Sequence, residues 1–483
     1  MLKIPDKGCD ESVLFERLES FRGGDNDFRS GKMFGHAFFI DDKVTEIAER
    51  AYTMYLWENA LDPTLFPSLA EMENEVVSMA ASHLRGDDEV VGNFTSGGTE
   101  SILLAVLAAR NKARAEKPGM GKPELIVPVT AHAAFHKAAH YFDMTLVPVP
   151  VDRETFKADV DAITKAVTPN TALIVCSAVS YAQGVVDPIK EVGEVALKNG
   201  IPFHVDGCIG AFLLPYYRQL GDDVVDFDFT VPGVTSISMD FHKYGFAAKG
   251  ASVVLYKNDD FRLHQIFSCS KWTGYTLLNP TMQSSRSGGA LAATWAVLNY
   301  VGNEKYLEVV GQLRKTTEDI IAGIESIDDL YVMGKPEICI LGIASDTVDV
   351  FQIVDEMRIR GWHIQPQFGL GEYRENFHMT VLPPNVARIN EWLADLRECV
   401  ETAKKREPNE LILKIAESLS GNDNMEIDKE SLKGLLGSLG VSGDKAPARM
   451  ADINRILNSL PPEVADRFLT MYYNEIGRYR DDS

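Results

Sequence analysis

Apolar and polar residues between positions 91 and 290 follow a pattern that predicts strands and helices in turn. Apolar runs typical of strands occur at 125–129, 146–149, 172–176, 203–205, 237–239 and 253–255. Helical spacing occurs between them, at 101–110, 133–142, 160–165 and 189–198. This order is typical of a mostly parallel sheet with helices on both faces. We therefore predict an α/β fold that binds its ligands at the carboxyl ends of the strands.

The flanking segments extend this prediction to four regions. Residues 1–60 are predicted to form an N-terminal arm and helix, and residues 61–300 the large domain. A smaller α/β domain is predicted at 301–405, with strands at 338–343 and 377–381 and a helix at 350–358. Residues 406–483 are predicted to be a helical C-terminal extension with a linker at 421–424. This extension either caps the small domain or binds a partner.

Composition excludes several classes of function. A formal net charge of -22 argues against a nucleic-acid-binding protein, which would normally carry a basic stripe. The six cysteines are scattered without paired spacing, which fits a reducing compartment and gives no zinc or redox motif. No run of about eighteen apolar residues occurs, and the first residues lack the apolar core of a signal peptide. We expect a cytoplasmic protein with no metal site, no nucleic-acid partner and no transmembrane segment.

Lys243 lies in a glycine-punctuated turn between the last two predicted strands of the large domain. Lysine changes its pKa readily when it is partly buried, and a neutral amine can form a Schiff base with an aldehyde. A solvated lysine at a hairpin is the alternative. This stretch alone does not decide between the two.

Three further stretches lie where a site would be expected. Residues 95–101 place glycines before a helix, which suits either a phosphate-binding loop or a simple helix cap. His132 follows a strand, where its ring can lie against an aromatic ring or cap the next helix. Residues 283–289 offer hydroxyls and a guanidinium at a helix start, which suits phosphate but also fits an ordinary N-cap.

Asp206 closes the strand at 203–205, where its carboxylate is expected to be kept from bulk water. Such a carboxylate needs a cationic partner, and a protonated pyridine nitrogen is one. An aspartate on a pyridinium together with a reactive lysine is the pairing that pyridoxal 5'-phosphate requires. Lys243 and Asp206, with the other stretches, therefore predict a pyridoxal-phosphate enzyme of the large dimeric α/β class.

Five motifs carry a family resemblance. The stretches TSGGTES, HAAFHKAAHYF, HVDGCIGAF, SISMDFHKYGFAAKG and SSRSGGALAATWA resemble the signature series of the sphingosine-1-phosphate lyase family. That family belongs to the pyridoxal-phosphate-dependent decarboxylase group of fold type I. The resemblance covers roughly residues 30–385, with LFPSLAEMENEVV near its start and FHMTV in the small domain. It implies a large domain with a mostly parallel sheet, a smaller C-terminal domain and bound pyridoxal phosphate.

The resemblance also implies roles for individual residues around the cofactor. Lys243 would link covalently to the cofactor, Asp206 would pair with its ring nitrogen and His132 would stack on the ring. The cofactor phosphate would be held by Gly98, Thr99, His242 and Ser285 of the partner subunit. A site completed across subunits implies a homodimer.

Four positions are implied to lie near the substrate. Tyr181 and Lys249 match family residues that assist proton transfer and bind the polar head of the substrate. Phe38 and Asp62 stand where the family has a tyrosine and a histidine that help to hold the substrate's phosphate. Phe38 removes a hydroxyl, and Asp62 would repel a phosphate dianion. The cofactor chemistry is therefore expected to be intact, while the substrate stays open.

The leading prediction is a carbon–carbon lyase that cleaves a phosphorylated amino alcohol to an aldehyde and an amine. The alternative is an amino-acid decarboxylase using the same cofactor. A non-catalytic relative that acts through its C-terminal helices is disfavoured, because both Lys243 and Asp206 are retained.

Overall fold

The large domain is built on a seven-stranded sheet in the order β1-β7-β6-β5-β4-β2-β3. The computed structural model describes residues 2–406, 410–419 and 449–476. The strands of this sheet are β1 (Val91–Thr95), β2 (Glu124–Pro128), β3 (Thr145–Val149), β4 (Thr171–Ser177), β5 (Phe203–Asp206), β6 (Ser236–Asp240) and β7 (Ser252–Tyr256). Strands β2 to β6 pair in parallel, whereas β7 is antiparallel to both β1 and β6. The predicted mostly parallel sheet is confirmed.

Helices cover both faces of this sheet. All seven residues of β4 are buried, as expected for a central parallel strand with helices on either side. The helices that precede the small domain are α1 (Glu11–Phe21), α2 (Asp42–Met54), α3 (Pro67–His83), α4 (Gly98–Glu116), α5 (Ala134–Tyr141), α6 (Val160–Ala166), α7 (Ile189–Asn199), α8 (Leu214–Gln219) and α9 (Asp259–Arg262). A short 3-10 helix, Arg22–Gly24, follows α1. Helices α4 to α7 correspond to the four helices expected from the sequence.

Helix α10 (Gly288–Glu325) joins the large domain to the small one. Its backbone leaves the helical conformation at Gly302, where φ is +66°, a value that glycine adopts without strain. The helix predicted before residue 300 and the helix predicted from residue 304 are therefore the two halves of one helix that is broken at Gly302.

The small domain contains a four-stranded antiparallel sheet in the order β10-β11-β13-β12. Its strands are β10 (Tyr331–Val332), β11 (Ile340–Ala344), β12 (Gln365–Gln367) and β13 (Asn376–Thr380). Its helices are α11 (Val350–Ile359), α12 (Pro383–Val386) and α13 (Ile389–Lys404). A two-stranded hairpin, β8 (Phe267–Cys269) with β9 (Leu277–Asn279), lies outside both sheets.

Three helices of the C-terminal extension are described: α14 (Glu410–Leu419), α15 (Ala451–Ser459) and α16 (Pro462–Ile476). The first turn of α15 is capped from the small domain, because the Asp355 carboxylate accepts hydrogen bonds from the backbone N–H groups of Met450 and Ala451, each at 2.8 Å. Asn458, on the same helix, makes a second contact with the small domain by accepting a hydrogen bond from the backbone N–H of Gly369 at 2.7 Å. The predicted linker at 421–424 lies outside the described residues.

Within the described ranges, none of the helices combines the length and the apolar character needed to cross a membrane.

Candidate active site

A cavity of about 410 Å³ lies at the carboxyl ends of β4, β5 and β6, against the first turn of α4. The structure brings most of the residues selected from the sequence to this cavity. They are Gly98, Thr99, His132, Tyr181, Asp206, His242 and Lys243. The strand-end rule for α/β folds therefore places these side chains together although they are far apart in sequence.

Lys243 forms a buried ion pair that was not predicted. Its Nζ lies 2.9 Å from Oδ2 of Asp240, a residue that is only 1% exposed at the end of β6. Burial has the largest single effect and lowers the pKa of Lys243, but the Asp240 carboxylate together with the neighbouring Cys208 and Asp206 raises the pKa above its usual value. Burial would likewise raise the pKa of Asp240, and the charges of Lys243 and His242 hold it below its usual value. The spacing of three residues between Asp240 and Lys243 was the available signal in the sequence.

Asp206 ends β5 and is buried beside the same cavity. Its Oδ1 accepts hydrogen bonds from the backbone N–H of Cys208 at 3.1 Å and from the hydroxyl of Ser238 at 3.3 Å. Because both bonds fall on one oxygen, the other oxygen is available to a ligand. The carboxylate is thus fixed in position and keeps an acceptor for a protonated ring nitrogen.

The loop before α4 forms a cradle that admits only glycine. A Cβ on Gly98 would lie 2.8 Å from both carboxylate oxygens of Asp240 and from Sγ of Cys208. Gly97 has φ of +150°, a conformation that side-chain-bearing residues rarely adopt. Glu100 holds the loop by accepting hydrogen bonds from the backbone N–H groups of Ser96 and Met282 at 2.6 and 2.8 Å. The first N–H groups of α4, which have no partner inside the helix, are left to face the cavity.

For two histidines, the surrounding hydrogen bonds show which ring nitrogen acts as the acceptor. Nδ1 of His242 accepts a hydrogen bond from the backbone N–H of Ala251 at 3.1 Å, so the proton of the neutral ring is on Nε2, 3.5 Å from Asp240 Oδ2. Burial lowers the pKa of His242 to about 4, and the ring is neutral at pH 7. His132 Nδ1 accepts from the N–H of Ala134 at 3.2 Å, so His132 caps α5 while its ring lines the cavity. The structure shows the capping alternative for His132, and stacking of its ring on an aromatic ring stays a prediction.

Tyr181 is held by two residues of the small domain that sequence reasoning missed. Its hydroxyl donates to Oε1 of Gln365 at 2.9 Å, and its ring stacks on His378 at a centroid distance of 4.2 Å. Burial raises the pKa of Tyr181, while the nearby charge of Lys243 acts in the opposite direction. A neutral hydroxyl therefore faces the cavity at pH 7.

Lys249 and Phe38 meet beside the Lys243 turn. Nζ of Lys249 lies 4.9 Å from the centre of the Phe38 ring and donates to the carbonyl of His242 at 3.2 Å. Burial lowers the pKa of Lys249 to about 8, with the charge of Lys243 acting in the same direction. Lys249 therefore carries a positive charge at pH 7 that is lost in mildly alkaline solution.

The Lys243 turn is also anchored to its surroundings through Tyr244 and Gly245. The buried hydroxyl of Tyr244 donates to the carbonyl of Val381 in the small domain at 3.0 Å. The hydroxyl of Tyr306, on α10, donates to the carbonyl of Gly245 at 2.8 Å. The backbone on the C-terminal side of Lys243 is thus fixed by two other parts of the fold.

Four predicted residues do not line this cavity within the chain: Phe38, Lys249, Asp62 and Ser285. Asp62 accepts hydrogen bonds from the N–H and hydroxyl of Thr64 at 2.8 and 2.6 Å and lines a separate cavity of about 620 Å³ that also contains Arg286. Ser285 is exposed, and its hydroxyl lies 3.4 Å from Nδ2 of Asn59. The role implied for Ser285 of the partner subunit stays a prediction.

The cavity fits pyridoxal phosphate on its own features. The cradle at Gly98 would be filled by a single Cβ, and it offers backbone N–H groups suited to a phosphate. Asp206 supplies an acceptor for a ring nitrogen, and Lys243 supplies an amine. These groups are the ones that this cofactor needs.

Comparisons with known proteins agree with this geometry. A family model described as "Pyridoxal-dependent decarboxylase conserved domain" matches residues 47–341, and one described as "Pyridoxal-dependent enzyme, C-terminal putative HTH domain" matches residues 412–475. The protein is a pyridoxal-phosphate-dependent lyase of fold type I. The chain is 39% identical to the sphingosine-1-phosphate lyase of rice, over 83% of this chain and 75% of the relative. It is 38% identical to sphingosine-1-phosphate lyase 1 of rat, over 83% of this chain and 70% of the relative.

Solved structures extend the comparison. A sphingosine-1-phosphate lyase of Burkholderia pseudomallei is 37% identical and superimposes with a TM-score of 0.80, covering 84% of this chain and 93% of that one. A glutamate decarboxylase of Lactobacillus brevis, 19% identical with a TM-score of 0.73 over 85% of this chain and 96% of that one, shares the fold. The chain belongs to the sphingosine-1-phosphate lyase family. The predicted family, fold class, cofactor and lyase activity are thereby confirmed, and the decarboxylase alternative is disfavoured.

Proposed function

We propose that this enzyme cleaves a phosphorylated amino alcohol, a long-chain base phosphate or close analogue, to an aldehyde and a phosphorylated amine. The relatives named sphingosine-1-phosphate lyase, 34–39% identical across plants, animals and a bacterium, support this substrate class. In the site itself, the observation that carries the proposal is the cation of Lys249 beside the Lys243 turn.

In the proposed reaction, the hydroxyl on the β-carbon loses a proton and becomes a carbonyl while the bond between the α- and β-carbons breaks. The α-carbon then takes up a proton, so that one aldehyde and one amine result. Pyridoxal phosphate, when bound, supplies an aldehyde that captures an amine and a ring that accepts the electron pair of the broken bond. Proton return to the α-carbon is assigned to Lys243 or Tyr181, which both face the cavity.

The remaining residues of the cavity would hold and orient the cofactor. Asp206 keeps a ring nitrogen protonated through its available oxygen, since an opposite charge stabilises the cation. The Nε2–H of His242, with Gly98 and Thr99 at the start of α4, would hold the cofactor phosphate, and His132 would cover the ring. These roles follow the resemblance, and the positions of the side chains around one cavity support them.

The substrate's own phosphate is proposed to rest on Lys249. Phe38 presents an aromatic ring to Lys249 instead of a hydroxyl, and Asp62, whose Oδ1 accepts both hydrogen bonds from Thr64, offers a carboxylate where the family has a histidine. Of the tyrosine, histidine and lysine that hold the phosphate in the family, this chain then keeps only the lysine. We therefore predict weaker discrimination between phosphorylated and non-phosphorylated substrates than the family pattern implies.

A homodimer forms part of this proposal, because Ser285 is exposed and lies away from the cavity of its own chain. Ser285 of the partner subunit would then reach the cofactor phosphate. A cytoplasmic location is proposed because the six scattered cysteines fit a reducing compartment. Sedimentation of the wild-type protein as a monomer at micromolar concentration would contradict the shared site.

The test is a substrate screen on the cofactor-loaded enzyme that measures aldehyde and carbon dioxide separately. Phosphorylated amino alcohols should release aldehyde, and Lys243→Ala should release none. Carbon dioxide released from amino acids, without aldehyde from any amino alcohol, would contradict the lyase proposal. Asp62→His and Phe38→Tyr are compared in parallel. If these variants raise activity on phosphorylated amino alcohols, the native substrate lacks that phosphate.

A further inference from the structure

Three buried polar side chains lie on the same face of the large sheet as Asp206. His204 is two positions before Asp206 on β5, and Ser236 and Ser238 are two positions apart on β6. In the parallel pairing of these strands, His204 is opposite Ser236 and Asp206 is opposite Ser238. Because side chains two positions apart point to one face of a strand, the four form a contiguous group. His204, Ser236 and Ser238 are all 0% exposed.

Hydrogen bonds join this group into one chain that ends on Asp206. Oγ of Ser236 lies 2.9 Å from Nδ1 of His204. Nε2 of the same ring lies 3.3 Å from Oγ of Ser238, which in turn lies 3.3 Å from Oδ1 of Asp206. The thiol of Cys208 also donates to Oγ of Ser238, at 3.2 Å. Burial raises the pKa of Cys208, so this thiol keeps its proton.

The charge of Asp206 fixes the direction of donation along the chain. An ionised carboxylate only accepts, so the single hydroxyl proton of Ser238 goes to Asp206, and Oγ of Ser238 accepts from Nε2–H of His204. Burial lowers the pKa of His204 to about 4, so its ring is neutral at pH 7. Its Nδ1 then accepts from the hydroxyl of Ser236. Each donated proton in the chain therefore points toward the Asp206 carboxylate.

Burial at this depth does not itself require polar side chains. Val205 and Ile237, which alternate with the residues of the chain, are equally buried and apolar. A buried polar group costs free energy unless it is hydrogen-bonded, so packing alone would favour apolar residues here. The ring of Phe135 packs beside His204, with the ring centres 6.0 Å apart. In such surroundings each hydrogen bond polarises the next, and the effect accumulates at the end of the chain.

We propose that Ser238, His204 and Ser236 are positioning residues that act through Asp206. They hold the negative charge on its carboxylate and so keep the shared proton on the ring nitrogen of pyridoxal phosphate. Hydrogen bonds to a charged form favour that form, and here they fall on Oδ1, which leaves the other oxygen for the ring nitrogen. A protonated ring is the better electron acceptor. This inference rests on the role proposed for Asp206 and is independent of the substrate.

The direct test locates the proton by NMR. The enzyme is loaded with pyridoxal phosphate that is isotope-labelled at the ring nitrogen, and the chemical shift of that nitrogen is measured at pH 7 without substrate. Asp206→Asn, which removes the carboxylate, gives the reference for an unprotonated ring. In Ser238→Ala the ratio of nitrogen-bound to oxygen-bound proton should fall about tenfold, because a hydrogen bond to a charged oxygen is lost. The signal should move toward that of Asp206→Asn.

The effect should decrease with distance along the chain. His204→Phe keeps a ring and removes the N–H, so the same ratio should fall by about twofold. Ser236→Ala should give a smaller change in the same direction. His204→Gln supplies an amide N–H at the same position along the side chain and should restore the wild-type signal.

His83→Phe is the matched control, because burial also lowers the pKa of His83, which contacts the carbonyl of Phe212 at 2.9 Å and does not line the cavity. It should leave the nitrogen signal unchanged. Thermal unfolding checks the fold of each variant. If His204→Phe does not fold, Ser238→Ala and Ser236→Ala still test the order of effects.

Each outcome decides a different part of the proposal. A wild-type signal in both Ser238→Ala and His204→Phe, with a displaced signal in Asp206→Asn, would overturn the chain alone. A displaced signal in Ser238→Ala but not in His204→Phe would overturn the part assigned to His204 and Ser236. A wild-type signal in Asp206→Asn would overturn this proposal together with the role of Asp206. Because no substrate is present, failure to release aldehyde would refute only the proposed function.

Discussion

The buried pair of Asp240 and Lys243 gives the sharpest prediction. Replacing Asp240 by asparagine keeps the shape of the side chain and removes its charge. Two unit charges 2.9 Å apart attract each other by about 6 kcal/mol at an effective dielectric constant of about 20. Divided by about 1.4 kcal/mol per pKa unit, this corresponds to about four units. Without the carboxylate, burial dominates, and the pKa of Lys243 should fall below its usual value.

The assay is the pH dependence of cofactor loading. Only the neutral amine reacts with the cofactor aldehyde, so the rate at which the visible absorbance appears should rise with pH in the wild-type apoenzyme. In Asp240→Asn the midpoint of this rise should move to lower pH, by up to about four units. Asp228→Asn is the matched control, because Asp228 is equally buried and is paired with Arg85 at 2.7 Å, among residues that do not line the cavity.

Stability of the cofactor-free protein supplies an independent measurement. The pKa of Lys243 is raised, so its contribution is present below its unfolded pKa and is lost as pH rises through the folded value. The pKa of Asp240 is lowered, so its contribution is present above its unfolded pKa and is lost as pH falls through the folded value. At pH 7 both contributions stand, and Asp240→Asn should lower the free energy of unfolding by about 3–5 kcal/mol. An unchanged loading midpoint together with unchanged stability would refute the reasoning.

Two further predictions concern Gly98 in the cradle and Lys249, the proposed partner of the substrate's phosphate. Gly98→Ala should weaken cofactor binding by roughly tenfold to a hundredfold, since its Cβ would lie 2.8 Å from Asp240 and Cys208. Fluorescence titration measures this, and Gly24→Ala, with open space around its Cβ, should bind normally. Because the pKa of Lys249 is about 8, its charge is lost above that pH, and KM for a phosphorylated substrate should rise there. Lys249→Arg should abolish that rise, and a flat wild-type profile would show that Lys249 does not hold the phosphate.

Much of the fold could be predicted because of how a parallel sheet is buried. Strands β2, β4 and β7 read as continuous apolar runs, since helices cover both of their faces. Strand β1 was missed because it contains Gly92 and Asn93, which are unfavourable in strands. The structure satisfies the buried Asn93 amide with the carboxylate of Glu73, which lies on α3, and with Gln265. Those partners belong to tertiary structure, and the local sequence does not show them.

The candidate site was likewise predicted only in part from the sequence. Lys243 and Asp206 could be predicted because each lies at a strand end, where α/β folds bind ligands. Asp240 was missed because its ion pair depends on the turn folding back on the strand, which the sequence pattern does not report. The Tyr181–Gln365 bond joins residues 184 positions apart in different domains. Contacts across such a separation follow from the packing of the domains and have no local signature.

The hydrogen bond from Tyr244 to Val381 has a consequence for the dynamics of the enzyme. It ties the turn that carries Lys243 to the small domain, so this turn and the docking of the small domain should open as one cooperative unit. Amide protons on either side of the Tyr244–Val381 bond should then exchange with solvent at matched rates. Any movement that separates the two domains releases the lysine from its fixed position at the same moment, and the chemistry is confined to the docked state.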